Sequence, residues 1–214
     1  MKIPVVVIIF NRPDKAKKLY KSLGNYKPDK LFIISDGPRI HVLKDKEKVK
    51  KTREIFKNID WKCKVLINYS DKNLGNKDRI VTGLNWVFQK VEKAIILEDD
   101  CIPSKEFFPF MEKMLDRYRA NLKIGSVCGS NFFNFKTKYK ENYFFSKYQH
   151  CWGWATWKNR WQKFDGNLKT LDKIKKNKFL KSYLGSYKAY LYWHWILDRV
   201  KNGKMNSWAY TWAY

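Results

Sequence analysis

Four short apolar runs, each ending in a polar cluster, constrain this chain more than any other feature. Val5–Phe10, Lys30–Ser35, Cys63–Tyr69 and Ala94–Leu97 are built around Val, Ile and Leu, and segments with helical spacing separate them. Pro13 suits the first turn of a helix carrying Ala16, Leu19 and Leu23. Val49, Ile55 and Phe56 mark a second helix in a Lys-rich stretch, and Ile80, Val81, Leu84 and Val87 a third. Strand and helix in this alternation predict an α/β fold, with a mostly parallel sheet flanked by helices.

Open sheets of this kind bind ligands beyond the carboxyl ends of their strands. The four runs end in Asn11-Arg12, Asp36-Gly37, Asp71 to Asn76, and Glu98-Asp99-Asp100. Any one of these is an ordinary polar loop; their coincidence on one predicted edge makes that edge the candidate site.

The last cluster is unusual because it is acidic. The chain has formal net charge +25, from 45 basic and 20 acidic residues, yet three adjacent carboxylates follow the buried run Ala94–Leu97. Like charges repel and buried ones need partners, so a cation is expected beside them. A divalent ion, Mn²⁺ or Mg²⁺, suits hard oxygen ligands and commonly takes one or two carboxylates with phosphate oxygens and water. Neighbouring side chains on an extended segment point to opposite sides, so the three divide into a metal ligand, a sugar-hydroxyl acceptor and a structural residue. The plainer alternative is a solvated acidic turn.

Arg12, Arg39, Lys77 and Arg79 lie just beyond the other strand ends, where they can meet a diphosphate; each taken singly is equally a solvated surface charge. Asp36 can accept hydrogen bonds from a nucleobase, and Gly37 and Gly75 let the backbone approach a ligand. Neither a GxxxxGK[ST] nor a GxGxxG pattern follows the first run, which argues against a nucleoside triphosphatase or a dinucleotide-dependent oxidoreductase.

Composition says less. Only eight of the basic residues are Arg, and Lys is accompanied by many Asn, Ile and Tyr, as an AT-rich genome would produce without selection for binding. The charge nonetheless favours anionic partners: nucleic acid, an anionic membrane face or phosphorylated small molecules. The four cysteines, Cys63, Cys101, Cys128 and Cys151, form no CxxC pair and read as reduced thiols of an intracellular protein. MKIPVVVIIF is too short for a membrane span and lacks a cleavage-like site, so it reads as a first strand. A cytoplasmic protein, peripheral at the cytoplasmic membrane face, is expected.

After residue 101 the composition turns aromatic. Pro103 and a helix over Lys105–Tyr118 lead to a strand candidate, Ile124–Gly129, and then to YFFSKYQHCWGWATWKNRW from Tyr143 to Trp161. Trp and Tyr faces stack on sugar rings and on nucleobases. Alternatively Trp152, Trp154, Trp157 and Trp161 are core, their spacing placing several on one helical face. With no repeat and no low-complexity linker, one domain over 1–214 is expected, residues 102–214 building on the sheet of 1–101.

Taken in order, Phe10-Asn11-Arg12-Pro13, Ser35-Asp36-Gly37-Pro38-Arg39, Asn73-Leu74-Gly75, Ile95-Ile96-Leu97-Glu98-Asp99-Asp100 and Gly153-Trp154-Ala155-Thr156-Trp157 resemble bacterial nucleotide-diphospho-sugar transferases of the GT-A (Rossmann-like) fold. They are more distantly similar to N-acetylglucosaminyltransferase I. The resemblance spans nearly the whole chain. It implies a metal-dependent glycosyltransferase in polysaccharide biosynthesis, with a UDP-sugar as donor and a glycan or lipid-linked acceptor. By position Asp100 matches the metal ligand, and Glu98 and Asp99 lie nearer the ribose and sugar. Arg12, with Phe10 and Asn11, matches the diphosphate side; Asp36, with Arg39 and Gly75 nearby, matches a uracil-binding aspartate. Lys77 lies in the loop that closes over the base. Where many relatives carry an acidic residue this chain has Ala209, and where they continue into a segment with a glycine and a histidine it ends at Tyr214, so the resemblance implies a truncated acceptor-side half.

An inverting transferase needs a base within about 3 Å of the acceptor hydroxyl. Asp198 and His194, on Tyr190–Val200, are the candidates, with Asp165 a further one; a histidine between Trp193 and Trp195 is also read as a packed residue. Two other classes remain open. A sugar nucleotidyltransferase would want a glycine-rich basic loop after the first strand, which FNRPDK lacks. A basic, aromatic nucleic-acid-binding module would leave Glu98–Asp100 unexplained, since three anions repel a phosphate backbone, so no nucleic-acid partner is expected.

Overall fold

Val5–Ile9 (β1) is buried along its whole length, and everything at the candidate site is placed relative to it. The computed structural model describes residues 2–132, 142–176 and 179–214. Lys30–Ser35 (β2), Lys64–Tyr69 (β3) and Lys93–Glu98 (β4) join β1 in parallel, and Val127–Cys128 (β5) and Trp154–Trp157 (β6) complete one sheet of order β3-β2-β1-β4-β6-β5. The α/β fold predicted from the alternating pattern is the one observed.

Register links sequence to site. Val5 lies opposite both Leu31 and Ile95, so Ile9 is level with Ser35, and Ile8 with Glu98. Ser35 is in turn level with Tyr69. The residues following each strand, Phe10-Asn11-Arg12, Asp36-Gly37, Ser70 onward and Asp99-Asp100, therefore emerge along one edge. Consecutive residues of β1, β2 and β4 are buried on both faces of the sheet, so a slip in register would repack both layers of the core.

Pro13–Tyr26 (α1) starts on its proline and buries Ala16, Leu19 and Leu23, as their spacing predicts. Asp45–Glu54 (α2) buries Val49, and Phe56 just beyond it is fully enclosed. Asn76–Phe88 (α3) packs Ile80, Leu84, Val87 and Phe88 inward. Phe107–Arg117 (α4) buries Phe108, Met111, Met114 and Leu115.

The structure differs from the sequence reading at the tryptophans. Trp154–Trp157 is a strand, antiparallel to β4 with Ile96 opposite Trp154 and Lys93 opposite Trp157, followed by a single turn, Lys158–Trp161 (α5). Trp154, Trp157 and Trp161 are core residues, as the plainer alternative held, but on a strand and a turn instead of one helical face; Trp152 is exposed. The predicted strand Ile124–Gly129 shortens to β5.

The chain also divides into two compact units, and the division is not at residue 101. The first is Met1–Asn131 with His150–Gln162, so the aromatic strand belongs to the sheet unit. The second is Phe132–Gln149 with Lys163–Tyr214, containing Leu171–Lys176 (α6), Phe179–Leu184 (α7), Tyr187–Lys201 (α8) and Trp208–Ala213 (α9). Its own core is Leu168, Leu171, Leu180, Leu184, Ile196, Leu197 and Val200. Among the described residues no helix is long and apolar enough to cross a membrane.

Candidate active site at the carboxyl edge of the sheet

The cation sought by the acidic cluster is supplied by Arg12. Its Nη1 donates to Asp99 Oδ1 at 3.3 Å and to Asp100 Oδ2 at 2.8 Å, and the Phe10 N–H donates to Asp99 Oδ2 at 3.3 Å. The three carboxylates do occupy different surroundings. Asp99 is buried, tied to the turn after β1, while Asp100 is partly exposed. Glu98 ends β4 and is pushed up to about 7, first by burial and then by the charges of Asp100 and Asp99, with Arg12 opposing. Burial also raises Asp99, again against the pull of Arg12. One guanidinium thus faces three carboxyl groups and leaves a surplus of negative charge.

Asp36 organises the neighbouring loop. Oδ1 accepts from the N–H groups of Gly37 and Leu74, both at 2.9 Å, and Oδ2 from the Gly75 N–H and Asn73 Nδ2, both at 3.0 Å. With four donors on its two oxygens and 7% exposure, this carboxylate holds Asn73-Leu74-Gly75 in place. Asn73 Nδ2 also donates to Gly37 O at 2.8 Å. Gly37 is required here because a Cβ would lie 2.5 Å from the Lys72 carbonyl carbon. Gly75 caps α3 at φ 80°, a conformation glycine adopts without strain. Lys77 follows in the first turn of α3.

Two of the basic residues expected to meet a phosphate are otherwise engaged. Arg39 grips Asp45 through two hydrogen bonds, Nε at 2.5 Å and Nη2 at 3.1 Å, and lies 5.5 Å from the Phe10 ring centre. Asn11 Nδ2 donates to the same Asp45 at 2.7 Å. These donors, hydrogen bonds from Arg39 foremost, draw the Asp45 carboxyl down to about 2. Arg79 is 5% exposed and donates to Ser35 O, Asn68 O and Asn68 Oδ1, so it ties β2 to β3 from beneath and is a structural residue rather than a phosphate ligand.

Phe10, Asn11, Arg12, Asp36, Arg39, Gly75, Lys77, Glu98, Asp99 and Asp100 accordingly share one edge. Sequence reasoning passed over Asp45 and Arg53. Arg53 Nη2 donates to Asp36 O at 2.9 Å and Ser70 O at 2.6 Å while covering the Tyr69 ring. Both stand in a Lys-rich stretch where no local signal separates them from surface charge.

Among the described residues no group of three or more His, Cys, Asp or Glu side chains is arranged to hold a metal ion. A divalent ion at this edge would rely on Asp100 with phosphate and water oxygens. The residues present fit such an ion in charge and donor type, since the acidic surplus at Glu98–Asp100 is what a second cation relieves.

In the second unit, His194 and Asp198 are one helical turn apart on α8, with His194 Nδ1 3.1 Å from Asp198 Oδ2. Lys175 Nζ donates to Asp198 Oδ1. Asp165 accepts from the N–H groups of Asn167 at 3.2 Å and Lys169 at 2.6 Å and serves as a turn cap.

No family model matches the chain. No curated protein matches it. Among solved structures it is similar to 4-diphosphocytidyl-2C-methyl-D-erythritolsynthase from Anaerococcus prevotii, with a TM-score of 0.43 and 10% identity, covering 74% of this chain and 72% of that one. At that distance the likeness says nothing about chemistry, which rests on the side chains at the sheet edge.

Proposed function

We propose that the carboxyl edge of the sheet binds a nucleoside-diphosphate sugar, with UDP as the expected nucleotide, and that the protein is a GT-A-type glycosyltransferase acting on a glycan or lipid-linked acceptor. The observation that supports this best is the Arg12–Asp99–Asp100 cluster: an exposed arginine that bridges a buried carboxylate and a partly exposed one. In this reading Arg12 turns toward the diphosphate, and Asp100 would hold Mn²⁺ or Mg²⁺, which would supply charge neutralisation for a leaving nucleotide. Asp99 keeps the turn after β1 in position. Glu98 accepts from sugar hydroxyls, and Asp36 presents the Asn73–Gly75 backbone to the base. The base for the acceptor hydroxyl is proposed to be His194, with Asp198, itself bound by Lys175, as its hydrogen-bond partner.

A sugar nucleotidyltransferase is the second reading, because Arg12 directly after β1, 2.8 Å from Asp100, would serve a nucleoside triphosphate equally well. The two differ in product. A transferase releases nucleoside diphosphate from a UDP-sugar; a nucleotidyltransferase releases pyrophosphate from a nucleoside triphosphate and a sugar phosphate. The binding test is thermal stabilisation by UDP with and without Mn²⁺, repeated in Asp100→Ala. Metal-dependent stabilisation that disappears in the variant is expected, and indifference to UDP together with a shift on adding single-stranded DNA overturns the reading.

A further inference from the structure

The second unit carries an apolar stripe on the side of α8 that faces away from its core. Ile196, Leu197 and Val200 point inward, while Tyr187 (62% exposed), Leu191 (49%), Tyr192 (48%) and Trp195 (54%) face out. Tyr187, Leu191 and Trp195 recur every fourth residue, which places them in one row about 12 Å long. The outer arc of a helix on a water-soluble surface is ordinarily polar. Lys188 and Arg199 border the apolar row on one side, and the part-exposed His194 and Asp198, three residues on from Leu191 and Trp195, lie along its other side. On α7, Phe179 and Tyr183 are also exposed and stack with centroids 5.7 Å apart.

The surrounding charge is predominantly positive. After Gln162 the acidic residues are Asp165, Asp172 and Asp198 alone. Asp172 is paired with Lys201 at 2.5 Å, Asp198 with Lys175 and His194, and Asp165 with backbone N–H groups. Cations also sit directly on the aromatic rings. Lys181 lies 5.7 Å from the Tyr187 ring centre, Lys147 5.1 Å from that of Tyr183 and Arg199 5.0 Å from that of Trp195.

We propose that this face of α8, with α7, docks in the interface of an anionic lipid bilayer. Tyr and Trp favour the headgroup level because they join an apolar body to a polar tip, and lysine and arginine reach from there to lipid phosphates. The row matches an in-plane helix, and the unopposed positive charge matches the negative surface of such a bilayer. Base stacking on a single strand fits less well. Lys147 and Phe179 both lie against the Tyr183 ring, and Lys181 and Tyr190 against that of Tyr187, which leaves less ring face for a base at those two positions. The proposal needs no transferase activity, but it shares its side of α8 with His194 and Asp198, three residues on from Leu191 and Trp195.

The test is co-sedimentation of the full chain with vesicles of equimolar phosphatidylglycerol and phosphatidylcholine, against vesicles of phosphatidylcholine alone. Binding to the anionic vesicles is expected, weakened but not abolished by salt. Leu191→Ser/Trp195→Ser should weaken it at least about tenfold, from loss of apolar burial. Lys46→Gln/Lys50→Gln, which removes two exposed charges from the sheet unit, should change it little. The substituted α8 side chains are exposed, so unchanged circular dichroism is expected; should the double variant unfold, Trp195→Ser alone carries the comparison. No binding to anionic vesicles, or binding that Leu191→Ser/Trp195→Ser leaves intact, overturns the proposal. A self-associated dimer, or equally tight binding to oligo-dT, that is lost in the same variant also overturns it and assigns the face to a second copy or to nucleic acid.

Discussion

Arg12 and Asp100, 88 residues apart in the chain, are joined by a 2.8 Å hydrogen bond between the turns that follow β1 and β4. The same guanidinium reaches the buried Asp99, so one side chain both stabilises the edge and presents charge to solvent. These two roles separate by mutation. Arg12→Ala leaves Asp99 buried without its cation and should lower stability by about 1–3 kcal/mol in urea denaturation. Asp100→Asn removes a more exposed charge and should cost under about 1 kcal/mol. Both should lose UDP-dependent stabilisation, and retention of that stabilisation in both would remove the cluster from the ligand site.

Asp36 makes a prediction opposite in kind. Its carboxylate accepts four hydrogen bonds, three from backbone N–H groups, so Asp36→Ala strands buried donors and should destabilise by about 2–4 kcal/mol. Faster amide exchange at Leu74 and Gly75 is the local signature to look for. Gly37→Ala should disturb the same loop by contact with the backbone at Lys72.

The Asp45 carboxyl makes one identifiable contribution to the acid behaviour of the sheet unit. Its folded value of about 2 lies below the ordinary carboxylate value of 3.8, so the unfolded chain takes up its proton first as pH falls. The stabilisation is fully present above about pH 4 and is lost as pH falls through 2. With half-exposed Arg39 as partner, screening holds the effect to about 1–2 kcal/mol. Asp45→Asn should lower stability at neutral pH by a similar amount and flatten the acid limb of a pH titration of urea midpoints.

His194 and Asp198 can be told apart kinetically. If His194 is the base, His194→Ala should reduce kcat by about 10²–10⁴ with little change in KM for the donor. Asp198→Asn, which keeps the shape but weakens orientation and the Lys175 pair, should show a smaller loss. Wild-type kcat in His194→Ala accompanied by a lower melting temperature would make it a packing residue, in keeping with its edge contact to the Tyr190 ring at 5.6 Å.

The sequence by itself determined the four parallel strands. Val5–Ile9, Lys30–Ser35, Lys64–Tyr69 and Lys93–Glu98 lie within a residue or so of their predicted bounds, because β-branched runs punctuated by Asn, Asp, Gly and Pro have few other ways to bury themselves. It also determined that polar residues crowd one edge, since parallel strands all end on the same side. Tertiary structure decided what those residues do. Whether Arg79 meets solvent or lies under β2 and β3, and whether Arg39 faces a ligand or Asp45, depends on which side of α2 and α3 the sheet covers; a lysine-rich stretch has too little apolar pattern to say. The place of Trp154–Trp157 was likewise decided by the free edge of β4. Tryptophans at that spacing suit a helix face or a strand equally, and only the unpaired N–H and C=O groups of β4 select the strand.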